Sequence, residues 1–507
     1  MRAAWMEAFG PGARDFSAPS ADPAMPAGLV LSPRAVEEFE VEVMDTPSWG
    51  LWGAGLVLFR RGSSLALCGK GSMMAEAAGP SEGGFFWWDL RKSELGERLG
   101  EAAGIRKIEP VAHLGVAARD FEVSNGEGKV VFRFGVVSVG RAGSLRVLVP
   151  RPLRGYGAEA EACCLALGGA EMREGGLLER ALADAGVSPH LSSGPARAEI
   201  PPGLPAAEAL RRVVSPALET AWKNEEGIIR DTDTEFLHDY RVSLRKARSA
   251  LGLLSGALDA AGVSRVRDAL GLMAARTNRL RDLDVYLLAR RDHEDSVPEV
   301  LRPAVRALFD SLSEERTREQ ASVASALLAP RHRELTQEIS ALFDRPDGLA
   351  PGPEAEVPIA AAVSARVARR HRKIAKLARD LGAETPDAQL HAIRIQCKKL
   401  RYLLEFFAAA VPQAATILEH PLRRLQNRLG AFNDASVQRE FLLDLWQHAG
   451  PGLPPDRAVA VGTLAGLLHA QGAGFRAGAQ RALEALTSPA LLKSVRRSLP
   501  PVNTIYP

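Results

Sequence analysis

Two segments of the sequence, 153 residues apart, carry a histidine followed by the same pattern of cations. In LHDYRVSLRKARSAL and in LHAIRIQCKKLRYLL, arginine or lysine stands three, seven, eight and ten residues after the histidine. Guanidinium and ammonium groups donate hydrogen bonds to anionic oxygens, and a histidine adds a donor that gains charge when protonated. These residue types indicate a site that binds an anion. The ten candidate residues are His238, Arg241, Arg245, Lys246 and Arg248 in the first copy and His391, Arg394, Lys398, Lys399 and Arg401 in the second.

The spacing of these residues predicts a helix with its cations on one face. Positions i, i+3, i+7 and i+10 fall within a sector of about 80° and extend over about 15 Å of helix. Like charges one turn apart destabilise a helix, yet Asp239 is the only acid between His238 and Arg248. One such helix alone would favour a solvated face. Two copies in the same phase favour an anion site, with each histidine either a ligand or an ordinary surface or core residue.

Further residues repeat around the two copies. Arg369, Lys373 and Lys376 precede the second copy at helical spacing and add supporting charge, whereas only Lys223 matches them in the first half, at the position of Lys376. The two halves are therefore predicted to contribute unequally.

The repeat also extends to the helix boundaries. Thr232 and Thr385 each stand six residues before a histidine and are predicted N-caps. Downstream, Arg281-Asp282 and Asn433-Asp434 pair at an offset of 152 residues, so the duplication continues into a following helix.

The composition of the chain around the repeat and the spacing of its apolar residues predict an all-α region. From Ala206 onward, apolar residues recur at spacings of three and four among Ala, Leu, Arg and Glu. We predict two helical halves at 206–344 and 358–495, a proline- and glycine-rich linker at 345–357, and a tail at 496–507.

The N-terminal part has strand patterns in place of helical ones. The whole chain is therefore predicted to be an α+β multidomain protein. Residues 1–27 lack a periodic apolar face and are predicted to be a flexible tail. Residues 28–192 are predicted to form a β-rich domain closed by a helix at Glu174–Ala185, and 193–205 a linker. The predicted strands are Phe39–Val43, Gly55–Phe59, Leu65–Cys68, Lys129–Val137 and Leu145–Val149.

Charge and cysteine content narrow the classes of function. The 507 residues carry a net charge of +3, but residues 1–192 hold 20 Lys+Arg against 24 Asp+Glu, which leaves 44 against 37 for residues 193–507. A polyanion site is therefore expected in the second part. The four cysteines show no CxxC spacing, and no apolar run is long enough to cross a bilayer. We expect a cytoplasmic protein without a disulfide framework, a cysteine-built metal site or a membrane span.

The paired LHxxRxxxRKxR and LHxxRxxxKKxR segments, each followed by an RD or ND helix end, resemble the CHAD domain, the conserved-histidine α-helical domain. The resemblance covers about residues 206–495. It implies two pseudo-symmetric four-helix bundles whose basic helices line a shared groove that binds inorganic polyphosphate. The implied contacts are the ten residues of the two copies, with Arg369, Lys373, Lys376 and Lys223 in support. The same resemblance places polyphosphate granules among the expected locations of the protein.

A second motif lies in the β-rich part. MDTPSWGLWGAGLVLFRRG, residues 44–62, resembles the strand-turn-strand of the CYTH or triphosphate tunnel family, with support from Arg119 and from Glu159 and Glu161 at a possible late strand. That family implies a β-barrel in which carboxylates hold a divalent metal for triphosphate hydrolysis. The ExExK of its first strand is missing here. The nearest substitute, Glu38, Glu40 and Glu42, lacks the lysine and is interpreted as a solvated face, so hydrolysis is expected to be impaired.

Three functions remain as alternatives. The favoured one is polyphosphate binding without catalysis and without a cofactor. The second is a metal-dependent triphosphatase or polyphosphatase whose helical region recruits the substrate, and a divalent metal would be required only in that case. The third is nucleic-acid binding, which is disfavoured because Tyr240 is the sole aromatic within residues 238–248 and 391–401 and base stacking needs more. The sequence sets no oligomeric state.

Overall fold

A computed structural model of the protein describes residues 5–9, 13–16, 25–69, 72–140, 145–171, 176–189, 199–345, 348–379, 387–449 and 453–499. The chain divides into two compact units, Met1–Ser193 and Gly194–Pro507. The first unit is built on a β-sheet, and the second unit is helical.

The N-terminal unit contains nine described strands in one antiparallel sheet that forms a half-barrel. They are β1 (Arg14–Phe16), β2 (Val30–Asp45), β3 (Leu56–Arg61), β4 (Ser64–Gly69), β5 (Ser72–Ala78), β6 (Glu109–Ser124), β7 (Val130–Val139), β8 (Leu145–Pro152) and β9 (Gly169–Glu171). Their order across the sheet is β5-β4-β3-β2-β6-β7-β8-β1-β9. The two longest strands, β2 and β6, pair at its centre. All five predicted strands are present.

Short helices cover both faces of this sheet. They are α1 (Gly50–Gly53), α2 (Glu94–Ala103), α3 (Gly157–Ala166) and α4 (Leu177–Asp184). Alternate residues along each strand point to opposite faces. Val147 and Val149 therefore join one core with α4, and Leu148 joins another core with α3.

Two predictions in this unit are wrong. In the predicted tail, Trp5, Met6 and Ala8 are buried in the core beneath α4, and β1 pairs with both β8 and β9. Burial of a large indole ring outweighs the low-complexity appearance of the segment. Glu159 and Glu161 lie on α3 and not on a late strand.

The DTP motif at the end of β2 has a structural explanation. The Asp45 carboxylate is buried and accepts hydrogen bonds from the backbone N–H groups of Leu51 and Trp52, at 2.9 Å each. Thr46 Oγ1 accepts the N–H of Gly50 at 2.8 Å. These acceptors satisfy the free N–H groups of α1, which has left-handed Trp49 before it. The motif therefore stabilises the turn between β2 and β3.

The C-terminal unit consists of twelve described α-helices. They are α5 (Ala206–Ile229), α6 (Thr234–Leu253), α7 (Ala260–Arg276), α8 (Asn278–Leu288), α9 (Arg290–Asp295), α10 (Arg302–Leu328), α11 (Pro330–Asp344), α12 (Ile359–Ala378), α13 (Asp387–Phe407), α14 (Pro412–Ala449), α15 (Pro455–Leu486) and α16 (Pro489–Ser498). The predicted tail at 496–507 begins too early, because α16 continues to Ser498 and Leu499 packs on the core.

The duplication is visible in the order of the helices. The starts of α5, α6, α7 and α10 are repeated 152 or 153 residues later by the starts of α12, α13, α14 and α15. Thr277 separates α7 from α8, whereas α14 is continuous. Each half thus has four long helical stretches and a shorter final helix.

The two halves share their apolar cores. Leu244 and Leu251 of α6 belong to one cluster with Ile393 and Leu400 of α13. A second cluster joins Phe309 of α10 to apolar residues of α14 and α15. Deleting one of these buried leucine side chains typically costs about 2–5 kcal/mol, so the packing fixes how the outward faces of α6 and α13 are presented.

The segment predicted as a linker between the halves is also part of this structure. Leu349 and Ala355 are buried in the shared core. The carbonyl of Val357 accepts the N–H of Ala206 at 2.9 Å, at the free start of α5. The described residues of 345–357 therefore cap and pack the helices, because their proline and glycine turns expose acceptors to them.

Candidate functional site

The start of α6 positions the first histidine and its cations. The N-cap is Asp233, whose Oδ1 accepts the N–H of Glu235 at 2.9 Å, and not Thr232 as predicted. Asp233 is one residue nearer the helix, and Asp is a stronger N-cap than Thr. Thr385 lies outside the described residues. Leu237, Leu244 and Leu251 recur every seven residues on the buried face, which leaves the cations of α6 on the other side.

Three arginines of α6 line a cavity of about 310 Å³ against α7 and the start of α8. Arg241 is half-buried, and its Nη1 donates to the carbonyl of Ala274 and to Thr277 Oγ1, both at 2.7 Å. Arg241 therefore also holds the junction of α7 and α8. The cavity is lined by Arg241, Arg245, Arg248, Gly271, Ala274, Ala275 and Asn278.

Gly271 explains how one of these arginines fits. A Cβ atom at Gly271 would lie 3.2 Å from Nη2 of Arg248, which is closer than nearly all real Cβ contacts. The glycine therefore leaves room for the Arg248 guanidinium along α7.

The two histidines lie in different surroundings. His238 Nδ1 is 2.9 Å from Nη2 of Arg281. Arginine can only donate, so Nδ1 accepts and the proton of the neutral ring stays on Nε2. His391 is exposed. Its half carries Asn433 where the first has Arg281, and the side chain of Asn433 is outside the described part of the structure.

Side chains of both halves meet between α6 and α13. Arg245 and Lys398 occupy equivalent positions of the repeat, and the charges of Arg245, Arg394 and Arg401 all act on Lys398. Partial burial first, and these three cations next, lower the pKa of Lys398 to about 8. Burial and Arg245 likewise lower the pKa of Arg394. We name as the central cluster the residues Arg241, Arg245, Arg394, Lys398 and Arg401.

Two aspartates oppose this cluster from equivalent positions. Burial lowers the pKa of Arg241, and Asp282 on α8 offsets part of that shift. Asp434 on α14 likewise offsets part of the lowering of the pKa of Arg394 and Lys398. These are the aspartates of the RD and ND pairs that the sequence repeats. They offset part of the repulsion among five cations, and an excess of positive charge remains.

Lys246 and Lys399, which stand eight residues after the histidines of the two copies, have different partners. Lys246 Nζ is 3.4 Å from Glu405 Oε1 on α13, so this cation is paired across the two halves. Lys399 instead has a pKa lowered by partial burial and by Arg370, Lys373 and Arg267. We name as the lateral cluster the residues Arg267, Arg370, Lys373 and Lys399.

The supporting cations are distributed unevenly. Lys373 joins Lys399, and Arg369 acts on Arg370, whose pKa is lowered by burial and by neighbouring arginines. Lys376 is exposed at the last turn of α12. Lys223 is exposed and pairs with Glu219 one turn away at 2.7 Å, so it is balanced within its own helix. Sequence reasoning missed Arg267, Arg281 and Arg370, because none of them lies at a cation position of the aligned repeat.

The N-terminal unit does not bring its candidate residues together in the same way. Arg60 is buried and pairs with Glu42, its cross-strand neighbour, and His113 Nδ1 lies 3.6 Å from Glu42 Oε1. Glu38 and Glu40 are exposed, in line with a solvated face, whereas Glu42 departs from it. Arg119 Nε donates to the carbonyl of Arg34 at 3.3 Å.

Groups that could hold a divalent ion are scarce in the described residues. Glu235, His238 and Asp239 offer ligand atoms within 4.8 Å of one another at the start of α6, and no second such trio occurs within the ranges that the structure describes. The carboxylates that the CYTH resemblance implies are therefore not gathered into a ligand set in the described part of the N-terminal unit.

The C-terminal unit is a duplicated set of helices with cations of both halves between α6 and α13. Comparison with protein families identifies the class of domain that has this arrangement. The family model of the CHAD domain matches residues 212–443. This chain therefore contains a CHAD domain, as its repeated helices predicted. The half-barrel sheet of the N-terminal unit is consistent with a CYTH-like domain.

The solved structures that are similar to this chain include two from a plant and a bacterium. One is the CHAD domain from the plant Ricinus communis, at 25% identity and a TM-score of 0.45 over 61% of this chain and 96% of that chain. The other is PptA from Streptomyces chartreusis, at 18% identity and a TM-score of 0.41 over 55% of this chain and 99% of that chain. No curated protein matches the sequence. None of the helices in the described ranges has the length and apolar character needed to span a membrane.

Proposed function

We propose that the CHAD domain of this protein binds inorganic polyphosphate along the central cluster. The observation that carries the proposal is Lys398, which is half-buried among three arginines drawn from both halves of the domain. Bringing like charges together out of water costs free energy. That cost is recovered when an anion binds, because each phosphate then interacts with several cations at once.

The extent of the charge favours a polymer over a single phosphate. The cations of α6 run over about 15 Å of helix, and those of α13 are equivalent to them. A single phosphate spans only a small part of this length. A chain with one negative charge per phosphate matches successive cations, and its second set of contacts forms at high effective concentration.

Each part of the site has a role in this proposal. Arg245, Arg394, Lys398 and Arg401 bind phosphate oxygens. Arg241 shares its guanidinium between the ligand and the end of α7, to which it already donates two hydrogen bonds. His238 lies one turn before Arg241 on α6, where its Nδ1 accepts from Arg281.

A comparison of three ligands at one salt concentration tests this proposal. The ligands are long-chain polyphosphate, tripolyphosphate and single-stranded DNA with an equal number of phosphates. We expect long-chain polyphosphate to bind most tightly, because DNA has a lower charge density and because Tyr240, the sole aromatic residue within 238–248 and 391–401, is buried and does not offer a stacking surface. Tighter binding of DNA would establish the nucleic-acid alternative instead.

We propose that the N-terminal unit has a structural, regulatory or docking role. The described structure gives the triphosphatase alternative no specific support. Glu159 and Glu161 lie on α3, and Arg60 already forms an ion pair with Glu42. The oligomeric state is left open. We further propose that the protein acts in the cytoplasm, in association with polyphosphate granules, where its ligand would be concentrated.

A further inference from the structure

The lateral cluster lies on a different side of α13 from the central cluster. Lys398 and Lys399 are adjacent in sequence and therefore about 100° apart around the helix. Lys398 interacts with Arg245, Arg394 and Arg401, and Lys399 interacts with Arg267, Arg370 and Lys373. The lateral cluster is thus assembled by α7, α12 and α13, and again it combines residues from both halves.

Hydrogen bonding and packing fix two members of this cluster. Arg370 Nη1 donates to Gln396 Oε1 at 2.9 Å, one turn before Lys399 on α13. The Nε of Arg370 is buried and has no hydrogen-bond partner among the described residues. The guanidinium of Arg267 lies on α6, where its Nη2 is 3.3 Å from the place of a Cβ on Gly252. A buried donor without a partner costs free energy.

Acids do not balance these cations. Within the described residues, Arg267, Lys373 and Lys399 form no ion pair with an Asp or Glu. The equivalent place on the other side of the repeat is balanced. Lys246 corresponds to Lys399 and pairs with Glu405, which itself corresponds to Gly252.

The internal repeat makes this contrast specific. Arg370 and Lys373 correspond to Ala217 and Thr220 in the first half. The lateral cluster therefore has no counterpart on the other side of the repeat. The equivalent positions there hold two uncharged residues and the ion pair of Lys246 with Glu405.

We propose that the lateral cluster is a second phosphate-binding subsite, so that a polyphosphate chain leaves the central cluster in one direction, across Lys399 toward Arg267 and Arg370. This inference rests on the proposed function. It adds a direction and two contacts, Arg267 and Arg370, that the repeat does not supply. A chain long enough to cover both clusters gains the additional contacts, whereas a short phosphate fills the central cluster alone.

Gly252→Glu provides a sharp test, because it places at Gly252 the carboxylate that Glu405 provides for Lys246. The new Cβ meets only the flexible end of Arg267, so the helix tolerates it. The matched control is Gly252→Gln, which has the same bulk and no charge. Arg267→Gln removes a cluster member that forms no described ion pair, and Arg267→Lys restores the charge.

The measurement is the affinity of the full chain for polyphosphate of about 100 phosphates and for tripolyphosphate, at low salt. We expect Gly252→Glu and Arg267→Gln to weaken long-chain binding at least about fivefold. Gly252→Gln and Arg267→Lys should stay within about twofold. Tripolyphosphate affinity should change by less than about twofold in all variants.

The outcomes separate the two claims. If the wild-type protein binds long-chain polyphosphate and both Gly252→Glu and Arg267→Gln bind it equally well, the lateral subsite is wrong and the central cluster stands. If the wild-type protein does not bind long-chain polyphosphate, the proposed function itself fails, and the subsite with it. Melting curves of each variant show whether a loss reflects binding or unfolding.

Discussion

The two halves of the CHAD domain carry a histidine and four cations in the same register, but the surroundings of these residues differ. In the first half, Arg241 is tied to the end of α7 and Lys246 is paired with Glu405. In the second half, Lys398 is crowded by three arginines and Lys399 by three further cations. The duplication thus preserves the spacing of the histidine and its four cations. The neighbouring residues, which the two halves do not share, set the balance of charge around them. The second half is expected to contribute more binding energy, and the first half more of the site's architecture.

The largest expected effect comes from reversing charge in the second half. Arg394→Glu with Lys398→Glu should lower the affinity for long-chain polyphosphate by about a hundredfold, or about 2.7 kcal/mol. Arg241→Glu with Arg245→Glu should cost at least about tenfold. Fluorescence anisotropy with labelled polyphosphate measures both. A folded double variant with unchanged long-chain affinity would show that its half is only a solvated face.

The second expected effect concerns pH. Lys398, whose pKa is lowered to about 8, is faced by Arg245 from α6, by Arg394 and Arg401 from α13, and by Asp434 from α14. A bound polyanion favours the charged ammonium, so binding takes up a proton near and above pH 8 and affinity falls as the pH rises from about 7 to 9.

Lys398→Arg provides the control for this pH dependence, because arginine stays charged throughout the range. Titration of both proteins at several pH values measures the effect. A wild-type affinity that is flat from pH 7 to pH 9, or an arginine variant with the same pH dependence, would exclude Lys398 as its source.

The third expected effect is on stability and has opposite signs in the two halves. The folded-state pKa of Lys398 lies below its usual value, so the folded state is penalised for holding this proton below about pH 8, and the penalty is relieved as the pH rises toward 10.5. At pH 7, Lys398→Met should therefore raise the Tm of the free protein by about 1–3 °C. Arg241→Met should lower it, because Ala274 and Thr277 lose their donor. Thermal melts without ligand decide this, and a lower Tm for Lys398→Met would contradict the crowding of charge.

The smallest expected effect is on phosphate release by the N-terminal unit. We expect no magnesium- or manganese-dependent hydrolysis of tripolyphosphate at an enzymatic rate by the full chain, since its candidate carboxylates are dispersed over β2 and α3. Glu159→Ala and Glu161→Ala should therefore change nothing in a phosphate-release assay. Metal-dependent release that disappears in either variant would restore the triphosphatase alternative.

The sequence predicted features that depend on the spacing of residues along the chain, and it did not predict contacts between distant segments. Helical periodicity and the repeat of His238 and His391 predicted the CHAD domain, because both depend only on spacing along one chain. The segment around Trp5 was misjudged, since its burial depends on α4, more than 160 residues away. Arg267 could not be assigned to the site from sequence, because its relation to Lys399 arises only when α7 packs against α6, which itself packs against α13.

The DTP motif shows a different limit of sequence reasoning. A motif can persist for its role in the fold, as Asp45 does in capping α1, and then its presence indicates architecture and not catalysis. The missing ExExK is the reason that hydrolysis by that unit is expected to be impaired.

The dependence of binding on salt tests the central claim most directly, because it counts the ionic contacts that polyphosphate makes with the whole domain. If arginines and lysines of both halves neutralise the chain, counterion release makes the logarithm of affinity fall linearly and steeply with the logarithm of salt concentration. We expect a loss of at least about a thousandfold between 50 and 200 mM salt, as for six or more phosphate contacts. An affinity unchanged over that range would contradict the account.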